Sequence, residues 1–351
     1  MLGLPVLLLL SLGILVIYSS DPQLALQQAI VGIIGLALFW FFSVISYDSY
    51  RPYIKPLYIL VIVSLCVVFA LGVETRGSVR WIELGSFFRF QPSEPAKLAL
   101  ILLLAQFWAA NLPTWKNVIK SFLWVLPVAG LVFKQPDLGT AVTLLAIWLV
   151  MLVGANVTVM KMVVMAASAA LVAPPSWLFL KSYQRERILS FLSPQQDPLG
   201  NGYNVIQSVI AVGSGQLLGR GLGRGTQSRL RFLPEFRTDF VFASISEELG
   251  FVGAMIVLVL YGAILLRGMV VIKDTDDKFG SLLVLGVLAM IFFQVTVNIG
   301  MNTGILPVTG ITLPLLSYGG SSLIVTLVSL SLIPSVARFG RRAMVEGEYL
   351  D

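Results

Sequence analysis

Ten long apolar runs are the feature that most constrains how this 351-residue chain can fold. The runs lie at about 4–20, 24–46, 54–72, 94–110, 118–133, 138–154, 159–181, 240–267, 279–303 and 315–337. A helix of about 20 apolar residues crosses the hydrocarbon core of a bilayer, and shorter runs can cross it with help from flanking residues. Only 12% of the residues are charged, which argues against a soluble domain. The sequence therefore predicts an all-α polytopic membrane protein of about ten transmembrane helices, forming a single domain over residues 1–351.

The placement of lysine and arginine predicts how the spans are oriented. Arg338, Arg341 and Arg342 lie in the C-terminal tail, and alternate short loops carry most of the lysines. Short loops rich in these residues stay in the cytoplasm. Because an even number of spans puts both ends of the chain on one side, we expect both termini to be cytoplasmic.

The 182–239 loop between the seventh and eighth spans is then extracytoplasmic, and it is basic. Its seven cations are all arginine: Arg185, Arg187, Arg220, Arg224, Arg229, Arg231 and Arg237. In one interpretation these arginines indicate no function, since long loops are translocated regardless of their charge. The alternative is a surface for an anionic partner such as a diphosphate or a phospholipid headgroup, which the use of arginine favours.

Histidine is absent from the chain, and Cys66 is the only cysteine. These absences exclude a Ser-His-Asp or Cys-His catalytic site and every zinc site built on imidazole. Proton transfer must then use a carboxylate, a lysine or a tyrosine. A metal ion would be a hard divalent cation such as Mg²⁺ or Mn²⁺ on oxygen ligands. We expect no organic cofactor, and we expect Cys66 to be buried in its apolar run.

Charged side chains at the ends of the apolar runs are the candidates for chemistry, because a charge at membrane depth is costly. Glu94 and Lys97 lie on one face of the fourth span, where they could form a structural ion pair or hold a substrate. Asp137 and Asp239 precede the sixth and eighth spans. Each could be a helix N-cap, which is the usual role of aspartate there. Alternatively, Asp137 could join Glu94 in a carboxylate cluster, and Asp239 could be a general base or a metal ligand.

Two further groups of polar residues lie deeper in the predicted spans. Glu247 and Glu248 follow Asp239 by two turns of helix, and we interpret them as buried structural groups. Asn298, Asn302 and Ser317 are predicted to form hydrogen bonds between helices.

Five sequence runs together resemble a known family. They are FRFQPSEPAKLALILLLA from residue 88, KQPDLGTAV from 134, GYNVIQSVIAVGSG from 202, GTQSRLRFLPEFRTDFVFASISEELGFVGA from 225 and NIGMNTGILPVTGITLPLLSYGGSS from 298. Their order and spacing resemble the SEDS family, the membrane proteins of shape, elongation, division and sporulation. The match extends over nearly the whole chain, and GTQSRLRFLPE resembles the elongation branch more than the division branch.

The resemblance implies a peptidoglycan glycosyltransferase that polymerises lipid II at the outer face of the bacterial cytoplasmic membrane, during cell elongation and shape maintenance. It implies that the protein acts together with a class B penicillin-binding protein and other membrane proteins of the elongation complex. It also implies contact with membrane lipids and no binding of nucleic acid. The family's essential aspartate falls on Asp239, and Arg237 stands where the family commonly has histidine. The substrate-binding positions that we carry over are Arg80, Trp81, Gln91, Glu94, Lys97, Asp137, Arg220 and Ser317.

In the expected reaction, Asp239 takes the proton of the acceptor 4-hydroxyl as that oxygen attacks the anomeric carbon of the donor. One base suffices because the anomeric configuration inverts. Arginines or a divalent cation, with Asp239 as its candidate ligand, would stabilise the leaving diphosphate. The alternatives are a lipid II flippase and the division-specific polymerase of the family. A flippase should distribute its charges along a path through both leaflets, whereas an enzyme needs them on one side.

Overall fold

The computed structural model describes residues 2–75, 78–84, 88–176, 185–186, 189–191, 193, 202–230 and 232–340. Arg187, Arg231, Arg341 and Arg342 lie outside these residues. The helices are α1 Gly3–Ser20, α2 Pro22–Val44, a 3₁₀-helix Tyr47–Tyr53, α3 Ile54–Leu71, α4 Ser93–Ala110, α5 Trp115–Lys134, α6 Leu138–Gly154, α7 Val159–Ser176, α8 Tyr203–Ser214, α9 Thr226–Arg229, α10 Val241–Lys273, α11 Lys278–Asn302 and α12 Gly320–Phe339. The strands are β1 Val73–Thr75, β2 Ser78–Leu84 and β3 Phe88–Phe90.

Each of the ten predicted spans falls on a helix, which confirms a mostly helical polytopic membrane protein. Among the described residues, seven helices are long and apolar enough to cross a membrane, namely α1, α2, α3, α5, α10, α11 and α12. Of the other three, α6 and the apolar part of α7 are shorter, and α4 carries Glu94 and Lys97 in its first turns. Cys66 is exposed on α3, so the expectation of a buried thiol is wrong.

Helix α11 lies at the centre of the bundle. Of its spanning window, 72% is buried inside the protein, compared with 28% for α10. It packs against α4, α6 and α10, and α12 packs against α2. The outer helices instead expose large apolar side chains such as Leu26, Trp40 and Val259, as expected where helices meet lipid.

A small antiparallel sheet in the order β1-β2-β3 connects α3 to α4, and the hydropathy pattern did not predict it. Glu83 of β2 is directly opposite Arg89 of β3, and their side chains form an ion pair at 3.1 Å. Cross-strand pairs of opposite charge stabilise such ribbons. The sheet places Arg80 and Trp81, both in β2, at the same end of the bundle as the start of α4.

Helix α10 is broken at Gly250, where φ is 67° and ψ is −164°. The long loop supplies the hydrogen bonds that the break removes. The N–H groups of Phe251 and Val252 donate to the carbonyls of Gln216 and Leu217 at 2.8 and 3.1 Å. In the other direction, the N–H of Arg220 donates to the Glu247 carbonyl at 3.0 Å. Backbone groups at membrane depth must be satisfied inside the protein, so the loop and the break stabilise each other.

We expect Gly250→Ala to destabilise the protein severely. The backbone conformation is accessible almost only to glycine and should cost about 1–3 kcal/mol in alanine. In addition, a Cβ here would lie 2.3 Å from the Gly219 nitrogen and 2.6 Å from the Leu217 oxygen. Gly262→Ala in the same helix is the control, because its Cβ would meet nothing within 4 Å. Thermal unfolding in detergent measures both variants, and an equal stability of the two would contradict the break.

Candidate functional site

The predicted site residues all lie at one end of the bundle. Successive helices alternate in direction, so this end holds the α1–α2 turn, the sheet, residues 135–137, the long loop and residues 303–319. Contacts between these segments confirm the arrangement: Arg237 pairs with Asp21 at 3.2 Å, and the Ser321 hydroxyl donates to the Arg89 carbonyl at 2.9 Å. We call this the long-loop end.

Asp239 is partly buried and lies two residues before α10 begins. The N-cap residue of α10 is Phe240, which provides no side-chain cap. Instead, the Asn302 Oδ1 atom of α11 accepts from the Ala243 N–H at 3.0 Å. The N-cap position is therefore Phe240, and the interpretation of Asp239 as the N-cap residue is wrong. The carboxylate faces the 303–319 segment, where a Cβ on Gly310 would lie 3.5 Å from Asp239 Oδ2.

Asp137 joins Arg80 and Gln91 in a polar cluster. Its Oδ1 accepts from the Thr140 N–H at 3.1 Å, which confirms it as the N-cap of α6. Its Oδ2 accepts from Gln91 Nε2 at 3.3 Å, and Arg80 Nη1 lies 3.9 Å from Oδ1. Arg80 also donates to the carbonyls of Gln135 and Pro136. The guanidinium is thus oriented by the turn before α6, with its charge near a buried carboxylate.

Glu94 and Lys97 form a buried ion pair on the first turns of α4. Lys97 Nζ lies 2.9 Å from Glu94 Oε2, and the two side chains are 2% and 7% exposed. The structure thus confirms the pairing expected from their spacing. Such a pair must be kept together, because separating it would leave an uncompensated charge in the core.

Glu247 and Glu248 lie in α10 just before the break at Gly250. Both are buried, as expected for structural groups. Glu247 Oε1 accepts from the Gln227 N–H at 2.8 Å and so supports the start of α9. Glu248 accepts from the Ser19 hydroxyl at 2.9 Å. Arg220 is exposed in the long loop, where its Nη1 donates to the Thr226 hydroxyl at 2.9 Å.

Ser317 and Trp81 complete the predicted set. The Ser317 hydroxyl donates to the Thr238 carbonyl at 2.5 Å, so it contacts the Asp239 segment directly. Trp81 is partly buried in β2. Sequence reasoning missed Gln28, whose side chain donates to the Ser317 carbonyl at 3.0 Å. The signal was present, since Gln28 is a polar residue in the second apolar run.

The described residues contain no group of three or more His, Cys, Asp or Glu side chains that could hold a metal ion. Glu94, Asp137 and Asp239 are therefore not a three-carboxylate metal site among these residues. A cation held by Asp239 would need oxygen ligands from the substrate. Mg²⁺ is often bound in that way, through one or two carboxylates and substrate phosphates.

A bundle of apolar helices that gathers its buried charges at one end defines an integral membrane protein with a polar site near one membrane surface. Comparison with known proteins identifies its relatives. The family model for FtsW/RodA/SpoVE cell cycle proteins matches residues 1–342. The peptidoglycan glycosyltransferase MrdB of Escherichia coli K12 is 41% identical over 94% of this chain and 90% of its own length. The stage V sporulation protein E of Bacillus subtilis is 37% identical over 95% of both.

Solved structures agree with the sequence relatives. A chain from a structure described as coordinating polymerization and crosslinking in a peptidoglycan synthase complex is 36% identical, with a TM-score of 0.83 over 100% of this chain and 98% of that chain. The rod shape determining protein RodA of Thermus thermophilus is 32% identical, with a TM-score of 0.73 over 97% and 96% of the two chains. The chain belongs to the FtsW/RodA/SpoVE family, which is the SEDS family that its motifs indicate.

Proposed function

We propose that this protein polymerises lipid II into glycan strands at the outer face of the bacterial cytoplasmic membrane, in cell elongation. The activity class, a peptidoglycan glycosyltransferase, follows from its relatives named MrdB, one of them 41% identical over 94% of the chain.

One structural observation favours an enzyme over a flippase. The buried charged side chains of the described residues are Glu94, Lys97, Asp137, Glu247 and Glu248, all in the half of the bundle at the long-loop end. A transport path for an anionic diphosphate would need charged groups through the other half as well.

The proposed reaction uses Asp239 as the general base. Its carboxylate accepts the proton of the acceptor 4-hydroxyl while that oxygen forms a bond to the donor anomeric carbon. The bond to the diphosphate oxygen breaks, and the anomeric configuration inverts without a covalent enzyme intermediate. A positioned base contributes about 10²- to 10⁴-fold to such a step.

We propose Arg80 as the cation that contacts the diphosphate. Its guanidinium is oriented by two backbone carbonyls and lies beside Asp137 at the long-loop end. Arginine suits this role because its planar fork matches phosphate oxygens. If a divalent cation is used, Asp239 would be its ligand from this chain, and the cation would supply charge stabilisation for the leaving diphosphate.

A detergent assay distinguishes polymerase from flippase. Purified protein is mixed with labelled lipid II and with a class B penicillin-binding protein whose transpeptidase serine is replaced, and products are resolved on a gel. Micelles have no two leaflets, so a flippase yields no product there. Glycan strands that depend on this chain support the proposal. Absence of strands, together with lipid II transfer between the leaflets of vesicles, would replace it with transport.

The proposed orientation puts the long-loop end outside the cytoplasm and both termini inside. In a Cys66→Ala background, we expect an impermeant thiol reagent applied to intact spheroplasts to label Ser193→Cys in the long loop, and not Asp276→Cys between α10 and α11. Removing Cys66 is necessary because its thiol is exposed. Labelling of Asp276→Cys alone would reverse the orientation.

We further propose a single-span class B penicillin-binding protein as partner, since the 36% identical chain comes from a peptidoglycan synthase complex that coordinates polymerization and crosslinking. We propose the lipid-exposed face of the eighth and ninth spans for the contact. Of these two, α10 is the less buried, with 28% of its spanning window inside the protein compared with 72% for α11. A photo-crosslinking residue at Val259, which is 64% exposed on α10, should capture the partner. The same residue at Ile33, 69% exposed on α2, is the control. Capture at Ile33 alone, or failure to co-purify, would contradict the proposal.

A further inference from the structure

Three consecutive backbone carbonyls around Asp239 are each held by a different group from the last third of the chain. The Arg237 carbonyl accepts from the Tyr318 N–H at 2.8 Å, and the Thr238 carbonyl accepts from the Ser317 hydroxyl at 2.5 Å. The Asp239 carbonyl accepts from Asn298 Nδ2 at 2.8 Å and Asn302 Nδ2 at 3.1 Å. Four hydrogen bonds thereby fix the backbone of a segment that belongs to no helix or strand.

Asn302 connects this segment to the start of α10. Its Nδ2 donates to the Asp239 carbonyl and to the Asn298 carbonyl, while its Oδ1 accepts from the Ala243 N–H. These partners fix the orientation of the amide, because donors face carbonyls and the oxygen faces an N–H. Asn298 likewise donates to the Ile311 carbonyl at 2.7 Å. Both asparagines are completely buried, so their contacts are not exchanged with water.

Ser317 has no hydrogen left to donate to a sugar or a phosphate in this arrangement. Its hydroxyl hydrogen is directed to the Thr238 carbonyl, and its oxygen accepts from the Leu313 N–H at 2.8 Å. Only 6% of the residue is exposed. The substrate-binding role carried over for Ser317 is thus not what its contacts support.

We propose that Asn298, Asn302 and Ser317 are positioning residues that hold the backbone of Arg237–Asp239 and thereby aim the Asp239 carboxylate at the acceptor hydroxyl. This inference rests on the proposed role of Asp239 as the base. A displacement of about 1 Å in a reacting group can cost about 10²-fold in rate. The loss should appear in kcat, because these three side chains act on the base and not on the substrate.

The test compares Ser317→Ala with Ser335→Ala. Ser335 is also buried, and its hydroxyl donates to the Ile45 carbonyl at 2.7 Å at the opposite end of the bundle. Each variant loses one buried hydroxyl-to-carbonyl bond, and Ser317→Ala also loses the bond from the Leu313 N–H. Ser335→Ala therefore controls for the loss of a buried serine hydroxyl, and the unfolding measurement separates any further loss of stability from a loss of rate. We expect Ser317→Ala to lower kcat for glycan formation by about 10- to 100-fold with KM within about threefold of the wild type. Ser335→Ala should retain wild-type kcat and KM, and thermal unfolding of both is measured in parallel.

Two results would overturn the inference. The first is a higher KM with unchanged kcat in Ser317→Ala, which would return Ser317 to substrate binding. The second is equal kcat in the two serine variants. Asp239→Asn is assayed alongside to separate the two proposals: an active Asp239→Asn contradicts the base, whereas an inactive one with a fully active Ser317→Ala contradicts only the positioning.

Discussion

Lys97→Met is expected to destabilise the protein by about 3–5 kcal/mol, because it leaves the Glu94 carboxylate buried without its partner. The Glu94 side chain is only 7% exposed, so water cannot replace the ammonium group 2.9 Å away. Methionine fills a similar volume without the charge, so loss of packing contributes little. Thermal unfolding of the purified protein in detergent measures the effect, and lipid II use should weaken with it.

The double variant Glu94→Gln, Lys97→Met is the control for this prediction. Removing both charges together should recover most of the lost stability, since a neutral pair avoids the unpaired charge. If the stable double variant polymerises lipid II, the pair is structural. If it is folded and inactive, the pair also acts on the substrate. Wild-type stability of Lys97→Met alone would contradict the buried ion pair.

Much of the architecture could be predicted because its signal is local. Each apolar run predicts its own helix, and the alternation of helix direction brings Asp137, Asp239 and the start of α4 to one end. The N-cap role of Asp137 could be predicted for the same reason, since it depends on Thr140 three residues later. Pairing of Glu94 with Lys97 needs only helical spacing.

The parts that could not be predicted depend on residues far apart in the chain. The cap of α10 comes from Asn302, 59 residues after the Ala243 N–H that it accepts from, so Asp239 was the natural candidate from local sequence. The break at Gly250 is satisfied by residues 216–221, and no local pattern distinguishes it from an unbroken span. The roles of Ser317 and Gln28 likewise follow from contacts between distant segments. Sequence motifs identified Ser317 without showing what it contacts, and they did not identify Gln28.

Asp239→Asn is expected to abolish glycan polymerisation while folding, membrane insertion and partner binding stay intact. Asparagine keeps the size of the side chain but cannot accept the hydroxyl proton, and removal of a general base costs about 10²- to 10⁴-fold. Loss of a cation ligand would add to that cost. The start of α10 should not suffer, because its N-cap position is Phe240 and the Asn302 side chain accepts from its Ala243 N–H. Gel-resolved glycan from labelled lipid II measures the rate, with a partner pull-down beside it.

The most direct test of this account compares three purified proteins in that assay, each with the same class B penicillin-binding protein: the wild type, Asp239→Asn and Asp276→Asn. Asp276 is exposed at the opposite end of the bundle, so its variant is a matched loss of one carboxylate. We predict wild-type strands from Asp276→Asn, and from Asp239→Asn at most about one hundredth of the wild-type rate. Polymer from Asp239→Asn within a few-fold of the wild type would contradict the role of Asp239 as the base.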